Sequence, residues 1–261
     1  MTITIALAGK GGVGKTTVAA MVIKYLAQKK TGSILAIDAD PSSNLNMVLG
    51  LELDWTVGDI REDMLQQVKG SLAAGGAAMG VMPGGQSKRD YLDYQIRTSV
   101  SEGTQYDLIA MGRGEGAGCY CAVNHNLREV IDTISKNYAY LVVDNEAGME
   151  HLSRRTTRDV QHLLIVSDPS HRGLVAAGRV AQMSKELDIN IENAYLIVNR
   201  MIGEIKDPIA SIIKDIGVPL LGVIPADETI SAYDLNGLPL IDMDVESPTF
   251  IEVSRMMEEI L

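Results

Sequence analysis

The chain has 261 residues, is 46% hydrophobic but only 4% aromatic, and carries 34 acidic against 23 basic side chains for a net charge of −11. Such an acidic balance argues against broad binding to nucleic acid or anionic membrane, which needs basic patches. The core must be built from Val, Ile, Leu, Met and Ala, a composition that suits a sheet covered by helices on both faces.

"TITIALA" (2–8) reads as a buried strand and not as a signal peptide, because no charged segment precedes it. Helix 15–29 and strand 33–38 follow. Leu51 to Gly103 is looser, with a short strand in 77–85 and a helix over 90–101. Strand 106–111, helix 123–136 and strand 138–144 come next, then strand 162–168, helix 173–187, strand 193–199, helix 207–216 and strand 219–225. Helices near 227–235 and 248–260 close the chain. Strands separated by helix-length segments predict right-handed crossovers and a mostly parallel sheet, hence one α/β domain over 1–261. No window of 18 apolar residues exists, so no membrane span is expected. Two cysteines form no disulfide framework, so a reducing cytoplasm is the default.

The first chemical motif is "GKGGVGKTT" (9–17), which fits G-x-x-x-x-G-K-[ST] between a predicted strand and a predicted helix. Gly9, Gly11, Gly12, Val13 and Gly14 let successive N–H groups face inward around phosphate oxygens. Lys15 is expected to reach the β- and γ-phosphates, and Thr16, followed by Thr17, to offer its hydroxyl to Mg²⁺. In "AIDADPSSNL" (36–45), Asp38 and Asp40 are either turn residues or, for Asp40, a carboxylate that positions attacking water. "GAGCYCAVNH" (116–125) holds both cysteines, Cys119 and Cys121. Soft thiolates select zinc, nickel, Cu(I) or iron–sulfur clusters, and closed sites want four ligands. One chain supplies two, so a two-fold dimer axis would complete the set. His125 is a rival third ligand within one chain, and a pair of unrelated thiols is the plain alternative. "YLVVDNEAG" (140–148) is an apolar strand ending in Asp144, the pattern of a Mg²⁺-binding carboxylate.

"KGGVGKTT" resembles the deviant Walker A motif of the MinD/ParA/nitrogenase-iron-protein group of ATPases. The resemblance implies an ATP/ADP- and Mg²⁺-binding ATPase in which Lys10 crosses a homodimer interface to the partner's nucleotide. It makes Asp40 the water-orienting residue and Gly148 a γ-phosphate N–H donor. It also places "LIVNR" (196–200) and "VIPADETI" (223–230) at the adenine, through Asn199, Arg200, Pro225 and Asp227; the alternative is that these are strand-end turn residues. The absence of N-K-x-D, replaced here by "NRMI", favours ATP over GTP.

The phosphate loop, "DADPSSNL", the "CYC" before a helix and "VVDNEAGMEHLSRRT" together resemble the CooC-type nickel ATPases. That resemblance implies nickel, with zinc able to occupy the same thiolates, held by Cys119 and Cys121 of both subunits. It also implies a client enzyme with a nickel cluster, carbon monoxide dehydrogenase or acetyl-CoA synthase. Two other functions compete: an iron–sulfur ATPase like the nitrogenase iron protein, whose cysteines come from two separated loops, and a MinD- or ParA-like positioning ATPase. The latter needs a basic membrane helix or DNA patch. Here "SPTFIEVSRMMEEIL" (247–261) carries three Glu against one Arg and reads as a core helix.

Overall fold

The computed structural model describes residues 2–29, 32–73, 87–113, 129–146, 159–186 and 189–261. Eight strands form one sheet: β1 (Ile3–Ala8), β2 (Ile34–Asp38), β3 (Ser101–Glu102), β4 (Tyr106–Ala110), β5 (Tyr140–Asp144), β6 (Asp159–Ser167), β7 (Asn190–Met201) and β8 (Leu220–Pro225). Their order is β3-β4-β2-β5-β1-β6-β7-β8. Every pairing is parallel except that of β3 with β4. This is the mostly parallel α/β sheet expected from the sequence.

The strands are near-continuous apolar runs because both faces are covered. Successive residues of a strand point to opposite faces, and the burial follows that rule. Ile5 and Leu7 of β1, Ile34 and Ala36 of β2 and Leu164 and Val166 of β6 enter one core. Ala6 and Ala8, Leu35 and Ile37, and Leu163 and Ile165 enter the other. The first core is covered by α1 (Lys15–Lys29), α2 (Leu45–Leu49) and, later in the chain, α9 (Pro248–Ile260). The second lies under α3 (Val57–Ala73), α4 (Lys88–Thr98), α5 (described over 129–135), α6 (His171–Glu186) and α7 (Ile209–Ile216). Between α7 and α9 comes α8 (Glu228–Leu235).

α1 is enclosed, with every residue from Val18 to Ala27 buried. Lys24 is among them, and it is tolerated because its Nζ donates to the carbonyls of Ile241 (2.5 Å) and Met243 (2.6 Å). α9 buries Phe250, Val253, Met256 and Met257, so the C-terminal helix is a core helix, as its sequence suggested. Among the described residues no helix is long and apolar enough to cross a membrane.

Three departures from the sequence expectation are instructive. Two helices are unexpected: α2, just before the looser region, and α3, within it. The latter opens with a capping box in which Thr56 Oγ1 accepts from Asp59 N (3.1 Å) and Asp59 Oδ2 accepts from Thr56 N (2.9 Å). The chain's single tryptophan, Trp55, is half-exposed just before it. The helix expected over 90–101 runs Lys88–Thr98 instead. Ser87 caps its start, and Ser101–Glu102 leave it to pair with β4. The strand expected in 77–85 and the start of the helix expected over 123–136 lie outside the described residues.

A candidate nucleotide site at the C-terminal edge of the sheet

The phosphate loop leaves β1 and turns directly into α1, where Val18 N donates to Gly14 O (3.0 Å). Two glycines are obligatory by geometry. Gly9 has φ +147°, and a Cβ there would run into the Val166 carbonyl at the end of β6. Gly14 has φ +93°, and a Cβ there would strike the Asn199 amide. Both conformations are ones L side chains rarely adopt. Val13 and Lys15 are buried, whereas Lys10, Gly11 and Gly12 are exposed. Lys15 Nζ folds back toward the Lys10 carbonyl (3.4 Å). Burial pushes the Lys15 ammonium below its ordinary range, against the pull of Asp144, Asp40 and Glu146.

β2 and β5 are neighbours in register, so Asp38 sits directly beside Asp144 at the strand ends. Both are 1% exposed. Thr16 Oγ1 donates to Asp144 Oδ2 (2.6 Å), while Asp144 Oδ1 is buried with no partner. Burial first, with repulsion from Asp38 and Asp40, pushes the Asp144 carboxyl up to about 7 against the Thr16 hydrogen bond and Lys15. Asp38 is pushed up to about 6, again mainly by burial, although Leu45 N and Asp40 N donate to it. A buried carboxylate pair with one orphaned oxygen, a hydroxyl and an ammonium beside it fits a small hard dication. Mg²⁺ typically takes one or two carboxylates and completes its shell with water and phosphate.

Asp38 is the residue that sequence reasoning left between two readings, and its geometry is specific. Oδ1 accepts from Asp40 N (3.0 Å) and Oδ2 from Leu45 N (2.9 Å). One buried carboxylate thus ties both ends of the loop that carries Asp40. Asp40 is half-buried, and its Oδ1 accepts from Ser42 N (2.8 Å), a turn geometry. Asp40 lies close enough to Lys15 for its charge to oppose the loss of that proton. The doublet of acids in "DADP" was the available signal for this arrangement.

On the far side of the loop, Thr17, Asn199, Arg200, Ile202, Pro225 and Asp227 line a cleft of about 470 Å³. The expected adenine residues therefore do come together, but their polar groups are already engaged. Asn199 Nδ2 donates to Val13 O (2.8 Å) and its Oδ1 accepts from Arg200 N (2.9 Å). Arg200 Nη1 donates to Gly12 O (2.9 Å). Asp227 caps α8 by accepting from Thr229 N (2.9 Å), and its second oxygen accepts from Ser247 Oγ (2.8 Å) and Thr249 N (3.3 Å). Partial burial pushes that carboxyl up, but these hydrogen bonds together outweigh it and hold it below the usual carboxylate value.

Cys119, Cys121, His125 and Gly148 lie outside the described residues. The approach to the cysteines is described. Ala110, the last residue of β4, is in register with Asp38, and Met111 N donates to Asp38 O (2.8 Å). Gly58 N at the start of α3 donates to Met111 O (2.9 Å). Among the described residues no group of three or more His, Cys, Asp and Glu side chains is placed to hold a metal ion.

The sequence profile of the CobQ/CobB/MinD/ParA nucleotide binding domain matches residues 4–240. An uncharacterized ATP-binding protein of Methanocaldococcus jannaschii is 42% identical over 257 residues, 98% of each chain. The carbon monoxide dehydrogenase accessory protein CooC of Rhodospirillum rubrum is 28% identical over 248 residues, 92% of this chain and 89% of that one. Among solved structures, the septum site-determining protein MinD of Pyrococcus horikoshii OT3, complexed with Mg-ADP, superposes with a TM-score of 0.67 at 23% identity. The match covers 99% of this chain and 96% of that one.

Proposed function

We propose a function for a chain that belongs to the CobQ/CobB/MinD/ParA nucleotide binding domain family, and is thus an ATP-binding P-loop NTPase: it is an ATP-hydrolysing, homodimeric nickel chaperone for a nickel-cluster enzyme. In this reading the loop from Gly9 to Thr17 cradles the phosphates, Thr16 would hold Mg²⁺ and Asp144 would hold it through water. Mg²⁺ held there would supply charge neutralisation on the β- and γ-phosphates. Lys15 adds its buried ammonium, Asp40 orients the attacking water, and Gly148 offers an N–H to the γ-phosphate. Lys10, exposed on the loop, reaches the nucleotide of the partner subunit. Asn199, Arg200, Pro225 and Asp227 bound the adenine end of the site.

Nickel is the cargo, taken by Cys119 and Cys121 of both subunits, with zinc as a competitor for the same thiolates. The observation that carries this reading is the junction at Met111. Cys119 follows Met111 by eight residues, and the Met111 backbone is bonded to Asp38, the residue that holds Asp40 in place. Hydrolysis chemistry and cargo segment thus follow the ends of two paired strands, β2 and β4. Whole-length similarity to CooC, a carbon monoxide dehydrogenase accessory protein, supports the same client class, carbon monoxide dehydrogenase or acetyl-CoA synthase.

The positioning-ATPase reading has the fold likeness to MinD in its favour. Against it, α9 spends its apolar face on the core and leaves no membrane-seeking stripe. The test is nickel titration with mass measurement in solution, on the wild type and on Cys119→Ser/Cys121→Ser. One nickel per dimer, lost in the double variant, is expected. Unchanged affinity and stoichiometry in that variant would sink the cysteine site. Robust pelleting with liposomes or DNA in the presence of ATP would favour the positioning reading instead.

A further inference from the structure

The end of β7 is irregular in a way that serves the phosphate loop. Val198 pairs with Val223 and Met201 with Pro225, so β7 places two residues, Asn199 and Arg200, where β8 places one, Ile224. Such a bulge re-aims side chains that strict alternation would send to opposite faces. The two residues in it are Asn199 and Arg200, and Arg200 has φ +57°, a left-handed conformation unusual for a non-glycine residue. Its N–H is held there by the Asn199 side chain (2.9 Å). As a result both side chains reach the same object: Asn199 takes the carbonyl of Val13 (2.8 Å) and Arg200 that of Gly12 (2.9 Å).

A trans peptide is planar, with its C=O and N–H pointing in opposite directions. Fixing the carbonyls of Gly12 and Val13 toward β7 therefore turns the N–H groups of Val13 and Gly14 away from it, across the loop. Left alone, the exposed Gly12 peptide would have to be oriented by the ligand, at a cost in affinity.

We infer that Arg200 is a positioning residue for the phosphate loop, acting through the Gly12 carbonyl rather than through the base. The inference rests on the loop's holding nucleotide phosphates and adds what sets their donors in place. It makes a distinction that a base contact does not: Arg200 should matter equally to a ligand that has phosphates and no adenine.

The experiment is calorimetric titration of Mg-ATP, with Mg-tripolyphosphate as competitor, into wild type, Arg200→Asn, Arg200→Gly and Arg200→Lys. Asn and Gly accept the left-handed backbone, so they remove the clamp without straining the bulge. Lys keeps a cationic donor. The Asn and Gly variants are expected to bind both ligands about 10-fold more weakly, by the same factor, the low end for one hydrogen bond to a charged group. Lys should recover most of the loss, and the thermal midpoint of Arg200→Gly should not fall below the wild type.

Weaker ATP with unchanged tripolyphosphate would make Arg200 a base contact and overturn the inference. Unchanged affinity for both, or a loss that tracks a drop in thermal midpoint across the variants, would overturn it as well. Failure of tripolyphosphate to displace ATP from the wild type would do the same. A wild type that binds neither ligand would instead sink the nucleotide reading itself.

Discussion

The phosphate loop and the carboxylate pair beside it are joined by one hydrogen bond, from Thr16 to Asp144, yet they are built differently. In the loop, the carbonyls of Gly12, Val13 and Gly14 are all taken, by Arg200, Asn199 and Val18. In the pair, two buried acids face each other across neighbouring strands and one oxygen of Asp144 has no partner. The loop is organised before a ligand arrives. The pair carries a desolvation cost that only a proton or a cation can offset. Substitutions in the loop should therefore reduce stability and binding together, whereas substitutions in the pair should separate them.

The largest expected effect is at Asp144. Asp144→Asn should lower Mg²⁺-dependent ATP hydrolysis by about 100-fold, the upper range for loss of an outer-shell group that holds the metal through water. Without Mg²⁺ at pH 8 the same variant should melt higher, by roughly 2–4 °C for each kcal/mol recovered, because a buried ionised carboxylate has been removed. A lower melting point would break the contrast.

Gly14→Ala comes next and should move both quantities the same way. The new methyl meets the Asn199 amide and the backbone is left-handed, so strain on the order of 1–3 kcal/mol should appear in denaturant unfolding, alongside about 10-fold weaker ATP binding. Asp38→Asn should be smaller and kinetic. Asp40 N and Leu45 N donate to different oxygens of Asp38, and in Asn one of these becomes an NH2 donor that faces an N–H, so kcat for ATP hydrolysis should fall about 10-fold with KM little changed.

The remaining contrast is the pH dependence. Both carboxyls titrate in the folded protein well above the unfolded value of about 4, Asp144 up to about 7 and Asp38 up to about 6. The folded state therefore binds more protons between those limits, and stability falls as pH rises. Relative to an Asp38→Asn/Asp144→Asn double variant, the Mg²⁺-free wild type should lose stability from about pH 4 and level off above about pH 8. Chemical denaturation at stepped pH measures this, and a difference that rises with pH would contradict the buried-pair description.

Most of the sheet was legible because parallel strands buried on both faces are uninterrupted apolar runs, as in "SILAID" and "YLVVD". The phosphate loop was legible because its glycines and Lys15 are local in sequence. α3 was missed because its one apolar stripe, Val57, Ile60 and Met64, is set among charges and glycine. The grip of Asn199 and Arg200 on the loop was invisible for a different reason. Their partners are backbone carbonyls more than 180 residues away, and periodicity reports which side chains are buried, not which peptide groups they meet. Asp227 was read as an adenine residue from its motif. The structure shows that its two oxygens also bind α8 and the start of α9, a role that capping statistics could have suggested from "DET".

Trp55 adds an optical consequence. It is the only tryptophan in the chain and is half-exposed. It stands one residue before the capping box of α3, and the second residue of that helix is bonded to Met111. Light absorbed at the long-wavelength edge of the protein spectrum is therefore emitted from this one place. A shift in emission colour on adding nucleotide or nickel would time events at the paired ends of β2 and β4, which lead to Asp40 and to the cysteine segment, in the unmodified protein and without a label.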